Sequence, residues 1–98
     1  MEFEGFEWDA GNMAKCQKHG LSIAEIESVF SARVLIVNDP GNSEVEQRFR
    51  AIGKTARGRH AFIVFTWRGK RLRPLSARYM HRKEIDRYEK DNSDVQER

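Results

Sequence analysis

The sequence has little with which to cross-link a chain, hold a metal or anchor to a membrane. It contains one cysteine, Cys16, among 98 residues, so no internal disulfide can form. His19, His60 and His81 are scattered, and no Cys/His cluster has zinc spacing, so neither a metal nor another cofactor is expected. No apolar run approaches the roughly 20 residues needed to span a bilayer. The start, Met1-Glu2-Phe3-Glu4, is acidic and lacks the basic opening and apolar core of a signal peptide. The expected setting is therefore reducing and cytoplasmic, with no membrane partner. Repeats, linkers, low-complexity segments, helix-turn-helix patterns and RNA-recognition sheet motifs are also missing. The 98 residues suit one domain with one modest core, ending in a polar, frayed tail over residues 91–98.

What is present is charge, unevenly placed. Arg48 to Arg87 holds thirteen Lys or Arg residues against two acids, Glu84 and Asp86. Met1 to Gln47 holds three bases and nine acids. The formal net charge of +3 thus hides a polarised chain. Within the basic stretch lies the most strand-like run, Ala61 to Trp67, apolar on both faces. A hydrophobic strand flanked by guanidinium groups suggests a sheet offering cations to a polyanion. Phosphate suits them best, because Arg binds its oxygens bidentately and keeps its charge.

Local signals order the rest. Phe3 to Trp8 alternates aromatic and acid, as a short strand would. Asp9 suits an N-cap for a helix ending near His19, where Gly20 can take the left-handed conformation. Ser22 and Glu25 form a capping box for a second helix, with Ile26, Val29 and Phe30 as its apolar face. Val34 to Val37 reads as a strand, Asn38 to Asn42 as a turn, and Arg48 to Ile52 as a half-buried strand. Gly53 to Arg59 is a basic connection, and Arg68-Gly69-Lys70 a hairpin turn. The last strand, from Lys70, meets Pro74, which limits it to an edge, an end or a bulge. A helix is expected from about Ser76 to Lys90. The fold class is α+β: two short N-terminal helices packed on an antiparallel sheet, with a closing C-terminal helix.

A series of motifs then falls in order: Phe6-Glu7-Trp8-Asp9, Lys18-His19-Gly20, Glu46-x-Arg48-Phe49, Gly53, Gly58-Arg59, Phe65-Thr66 and Arg73-Pro74-x-Ser76-Ala77-Arg78, continuing through Tyr79 to Glu84 and Tyr88. From Phe6 to Tyr88 the chain resembles the BrnT toxins of bacterial type II toxin–antitoxin systems. That resemblance implies a RelE-like fold and metal-independent endoribonuclease activity that cleaves RNA and inhibits translation. It also implies neutralisation by a BrnA-like antitoxin, possible assembly as a toxin–antitoxin heterotetramer, and contact with operator DNA only through the antitoxin. Pro74 departs from the pattern, since many members carry a β-branched residue there.

Metal-free RNA cleavage needs a base for the 2′-hydroxyl, an acid for the leaving 5′-oxygen, and cations for the charge gathering on phosphorus. The catalytic candidates are Arg57, Arg59, Arg78, His19 and Glu46. Arg57 and Arg59 flank Gly58, though a solvated basic loop accounts for them equally. Arg78 is expected near the start of the last helix, where an anion is favoured, or else in an ion pair. His19 titrates in the useful range but also suits a structural helix end. Glu46 is a candidate base or a partner for Arg48 or Arg50. Lys18, Arg48, Arg50, Arg71, Arg73 and Arg82 are the candidates for binding RNA. A non-catalytic nucleic-acid-binding module using the same basic face is the alternative, since phosphate affinity alone needs only cations. An acidic inhibitor could cover those same cations.

Overall fold

Asp9 caps the first helix as its sequence promises. Its carboxylate accepts from the Asn12 amide at 3.1 Å, and the Asn12 side chain accepts from the Asp9 amide at 2.7 Å. The computed structural model describes residues 2–39 and 46–96, with side chains described as far as Asp91. Helix α1 spans Ala10–Cys16 and α2 spans Ile23–Val29, the latter closed by the Ser22/Glu25 capping box. Four strands follow: β1 (Val34–Asn38), β2 (Phe49–Lys54), β3 (His60–Arg68) and β4 (Arg71–Tyr79). They pair antiparallel in the order β1-β2-β3-β4, a simple meander. Helix α3, Arg82–Gln96, closes the chain. The expected turn from Asn38 to Asn42 falls mainly on residues 40–45, and the end of the tail on 97–98, outside the described residues.

Alternation along the strands sorts the sheet into two unlike faces. Ala51, Ala61, Ile63, Phe65, Leu72 and Ala77 point to one side and are buried with Cys16, Leu21, Ile26, Val29 and Phe30 of the helical layer. Phe65 is the hub: its ring meets Phe30 at 5.4 Å, Phe49 at 5.6 Å and Trp67 at 5.6 Å. The second face, with Arg50, Ile52, Phe62, Val64 and Arg78, is only half buried.

Pro74 stands at a bulge on an edge strand, two of the placements its sequence allowed. Two expectations need correction. No helix begins at Ser76. Strand β4 continues to Tyr79 through a bulge: Phe65 opposes Pro74 and Val64 opposes Ser76, leaving Leu75 as the extra residue. The bulge accommodates the missing N–H, and the buried Pro74 carbonyl is met by Asn12 Nδ2 at 2.9 Å. The helix therefore starts at Arg82. Nor is Phe3 to Trp8 a regular strand. It makes a single parallel bridge, Phe6 to Leu72, while Glu4, Gly5 and Glu7 hydrogen-bond along the β4 edge. Its aromatics leave the ladder to join the core, with Phe3 and Phe6 packing on each other and on Phe30. No helix among the described residues is long and apolar enough to cross a membrane.

Candidate active site

At one end of the sheet the close of β4, the close of α1 and the β2–β3 connection meet. Tyr79, the last residue of β4, donates its hydroxyl to Glu25 Oε2 at 2.9 Å. Glu25 is 8 % exposed and is placed by two roles: it closes the α2 capping box, and it receives the phenol. The hydrogen bond from Tyr79 holds the Glu25 carboxyl below its usual range. The Ser22 amide, Arg57 and Arg59 act in the same direction, against burial. Conversely, the Glu25 hydrogen bond, then burial, make Tyr79 keep its proton more firmly than an ordinary phenol. The pair is an ionised carboxylate with a phenol aimed at it.

Arg59 lies over the Tyr79 ring, its guanidinium carbon 3.6 Å from the centroid. The connection that carries Arg59 is tightly built. Thr55 N donates to Arg59 O at 2.8 Å, and Gly58 N donates to Thr55 O at 2.9 Å. Gly58 has φ +84°, a conformation that side chains rarely adopt, so this turn requires glycine between the two arginines. Ser28 fixes the connection to α2, accepting from Ala56 N at 2.8 Å while donating to the Glu25 carbonyl. Across the ring, Gly20 turns the chain out of α1 at φ +100°. A methyl group there would stand 3.6 Å from the ring, so the Lys18-His19-Gly20 turn runs close beside Tyr79.

The other candidates are dispersed, most of them answered by carboxylates. Arg78 is on β4, with its guanidinium 4.6 Å from the Phe62 centroid, and binds Glu84 bidentately at 2.8 and 2.9 Å. The expected position at the start of the last helix is thus overturned, because the bulge carries the strand past it. Arg50 bonds Asp39 at 2.9 Å. Arg73 is pinned between Glu7 at 3.1 Å and Asp9 at 2.9 Å, while Arg82 stands 3.6 Å from Asp86 in the first turn of α3. Glu46 pairs with Arg68 rather than with Arg48 or Arg50. Arg71 is exposed and donates to the Phe6 carbonyl at 3.3 Å. Arg48, Arg71, Arg73 and Glu46 lie towards the end of the sheet away from Tyr79. Among the described residues neither Arg57 nor Arg59 has a carboxylate within ion-pair distance, and Lys18 and His19 are likewise without one. The structure therefore brings Arg57 and Arg59 to one tyrosine and runs the turn that carries Lys18 and His19 beside its ring. Sequence reasoning missed Tyr79 and Glu25. Tyr79 stood in plain view after Ser76-Ala77-Arg78, whereas Glu25 was accounted for by its capping role.

The arrangement defines a small α+β protein with two cations that have no ion pair among the described residues, Arg57 and Arg59, beside a phenol–carboxylate pair. Residues 8–84 match the family described as ribonuclease toxin, BrnT, of type II toxin–antitoxin system. The chain belongs to that family. Membership makes it the ribonuclease toxin of such a system, with RNA as target and an antitoxin as partner. No curated protein matches it.

Proposed function

We propose that the Tyr79 end of the sheet is the ribonuclease centre and that it cleaves RNA without a divalent metal. The observation that carries this is the Glu25–Tyr79 hydrogen bond lying under Arg59. Tyr79 accepts the proton of an RNA 2′-hydroxyl as it passes its own to Glu25, which is ionised at neutral pH. The freed 2′-oxygen attacks phosphorus and the P–O5′ bond breaks, leaving a 2′,3′-cyclic phosphate. Arg57 and Arg59 stabilise the charge on the non-bridging oxygens. His19, on the turn beside the ring, supplies the proton to O5′. Two guanidiniums at the reacting phosphate do the electrostatic work of a metal and would repel one. Arg78, held by Glu84, belongs to the scaffold in this reading, and so do Arg73 and Glu46. Inhibition of translation by RNA cleavage and neutralisation by a BrnA-like antitoxin complete the proposal.

The test is cleavage of RNA by purified protein with chelator present. Cleavage persists in chelator, Tyr79→Phe and Arg59→Ala each lower the rate by roughly 10² to 10³-fold, and both variants stay folded. Activity that disappears in chelator and returns with added metal overturns the metal-free reading. Tyr79→Phe at the wild-type rate removes the relay.

A further inference from the structure

The two edges of the sheet are treated differently. The β4 edge carries a bulge and Pro74, and the extended segment Glu4–Glu7 lies along it, donating to and accepting from its backbone. These are the devices that keep an edge from pairing with another chain. The β1 edge has none. Its sequence, Val34-Leu35-Ile36-Val37-Asn38, contains no charge, proline or bulge. Among the described residues nothing pairs with its outer side. Leu35 and Val37 are the exposed apolar members of the strand, at 36 % and 39 %.

The face next to that edge is apolar and open. Leu35, Ile52, Phe62, Met80 and Tyr88 line a groove of about 480 Å³ between the sheet and α3. Its cations are already spoken for: Arg50 by Asp39, Arg78 by Glu84, and Arg87 by Asp91 at 4.0 Å. A polyanion gains little from arginines so neutralised, so this face is unsuited to RNA. Two cations flanking the edge remain without an ion pair among the described residues: Arg33, just before β1, and Arg48, just before β2. An occupant with apolar side chains for Leu35 and Val37 and acids for Arg33 and Arg48 matches both features.

We propose that the outer edge of β1 is the docking edge for the protein antitoxin, which adds an extended segment of alternating apolar and acidic residues to the sheet. Main-chain hydrogen bonds give such strand addition its affinity, and alternate side chains give it specificity. This rests on the reading of the chain as an antitoxin-bound toxin. Across the sheet β1 is about 14 Å from β4 at the usual strand spacing. A segment anchored on β1 thus leaves the rest of the antitoxin within reach of the Tyr79 end.

The experiment uses the full chain, a BrnA-like antitoxin as the probe, and the double variant Leu35→Lys/Val37→Lys. Both side chains are more than a third exposed and stand on no element of the Tyr79 site, so the variant that remains folded keeps the RNA-cleavage rate of the wild type. Its affinity for the antitoxin falls at least roughly tenfold, and the β1 amides of the wild type gain hydrogen-exchange protection on binding. Wild-type affinity in the folded variant, or no gain of protection at β1, overturns the proposal while leaving the toxin reading intact. A wild-type dimer that the lysines dissolve makes a second copy the occupant and also overturns it. A wild-type chain that does not bind the antitoxin removes the partner reading itself, and the docking edge with it. A variant that unfolds makes the exchange measurement on the wild type decisive.

Discussion

Arg73 has the composition of an RNA contact and the surroundings of a structural one. Its side chain is 15 % exposed, Glu7 and Asp9 accept from Nη1, and buried Nε has no partner among the described residues. The hydrogen bond to Asp9 raises its pKa, which already lies far above neutrality, and the same bond holds Asp9 below the usual carboxylate range. Asp9 is also the α1 cap, so Arg73 ties the start of that helix to β4. Arg73→Ala leaves Asp9 without its partner and Glu7 with Arg68 alone, at 3.7 Å, and costs roughly 1–3 kcal/mol of stability. In a domain of this size that lowers the melting temperature by about 4–8 °C per kcal/mol. The variant that remains folded cleaves RNA at the wild-type rate. Loss of cleavage without loss of melting temperature would return Arg73 to the active site. Arg59, by contrast, is exposed and lies over a tyrosine face, and the proposed chemistry puts the effect of its loss in turnover.

At the scale of elements, α3 is held to the sheet at its beginning. Glu84, in its first turn, accepts from the His81 amide at 2.8 Å and takes both Nη atoms of Arg78. The Arg78 guanidinium, with the His81 amide next in effect, holds the Glu84 carboxyl down to about 2 from its ordinary 4.5. A depressed carboxylate stabilises the fold fully above its unfolded pKa and ceases to do so as pH falls through the folded one. The contribution is therefore complete above about pH 4.5 and disappears between there and about pH 2. Glu84 is 36 % exposed, so screening leaves on the order of 1 kcal/mol. Glu84→Gln flattens the pH dependence of the melting temperature in that window, and a variant whose acid profile matches the wild type assigns the dependence elsewhere. Legibility follows the range of the interaction. Both short helices could be read because their caps lie within three residues of one another. The meander could be read from alternation and from Gly69. The end of β4 could not, because its continuation depends on Asn12 meeting Pro74 from 62 residues away. Arg78 was misplaced with it, and its partner Glu84 lies six residues on, across a boundary drawn in the wrong place.

Across the whole molecule folding pairs part of the basic stretch with the acidic N-terminal half. Glu4 meets Lys70, Glu7 meets Arg68 and Arg73, Asp9 meets Arg73, Asp39 meets Arg50, and Glu46 meets Arg68. The acidic N-terminal half is thus laid along part of the basic stretch, and Arg50, Arg68, Lys70 and Arg73 face its carboxylates. Charge counting found the right residue types but could not tell which cations keep their charge for a ligand, since that depends on pairs between distant segments. The cations left beside Tyr79 are Arg57 and Arg59, with Lys18 on the turn that passes its ring. Binding of single-stranded RNA releases about 0.7 counterion per neutralised phosphate, so three or four contacts give a slope of about −2 to −3 in log K against log salt, where all of the net +11 engaged would give about −8. A cleavage-resistant RNA carrying a 2′-O-methyl group at the target position, titrated between about 50 and 200 mM salt, measures that slope. The Arg57→Ala/Arg59→Ala variant reduces its magnitude by about 1–2, because two phosphate contacts are removed. Arg50→Ala and Arg73→Ala leave it unchanged. A wild-type slope near −8 would mean that RNA displaces the internal carboxylates and binds over the whole basic stretch rather than at the Tyr79 end.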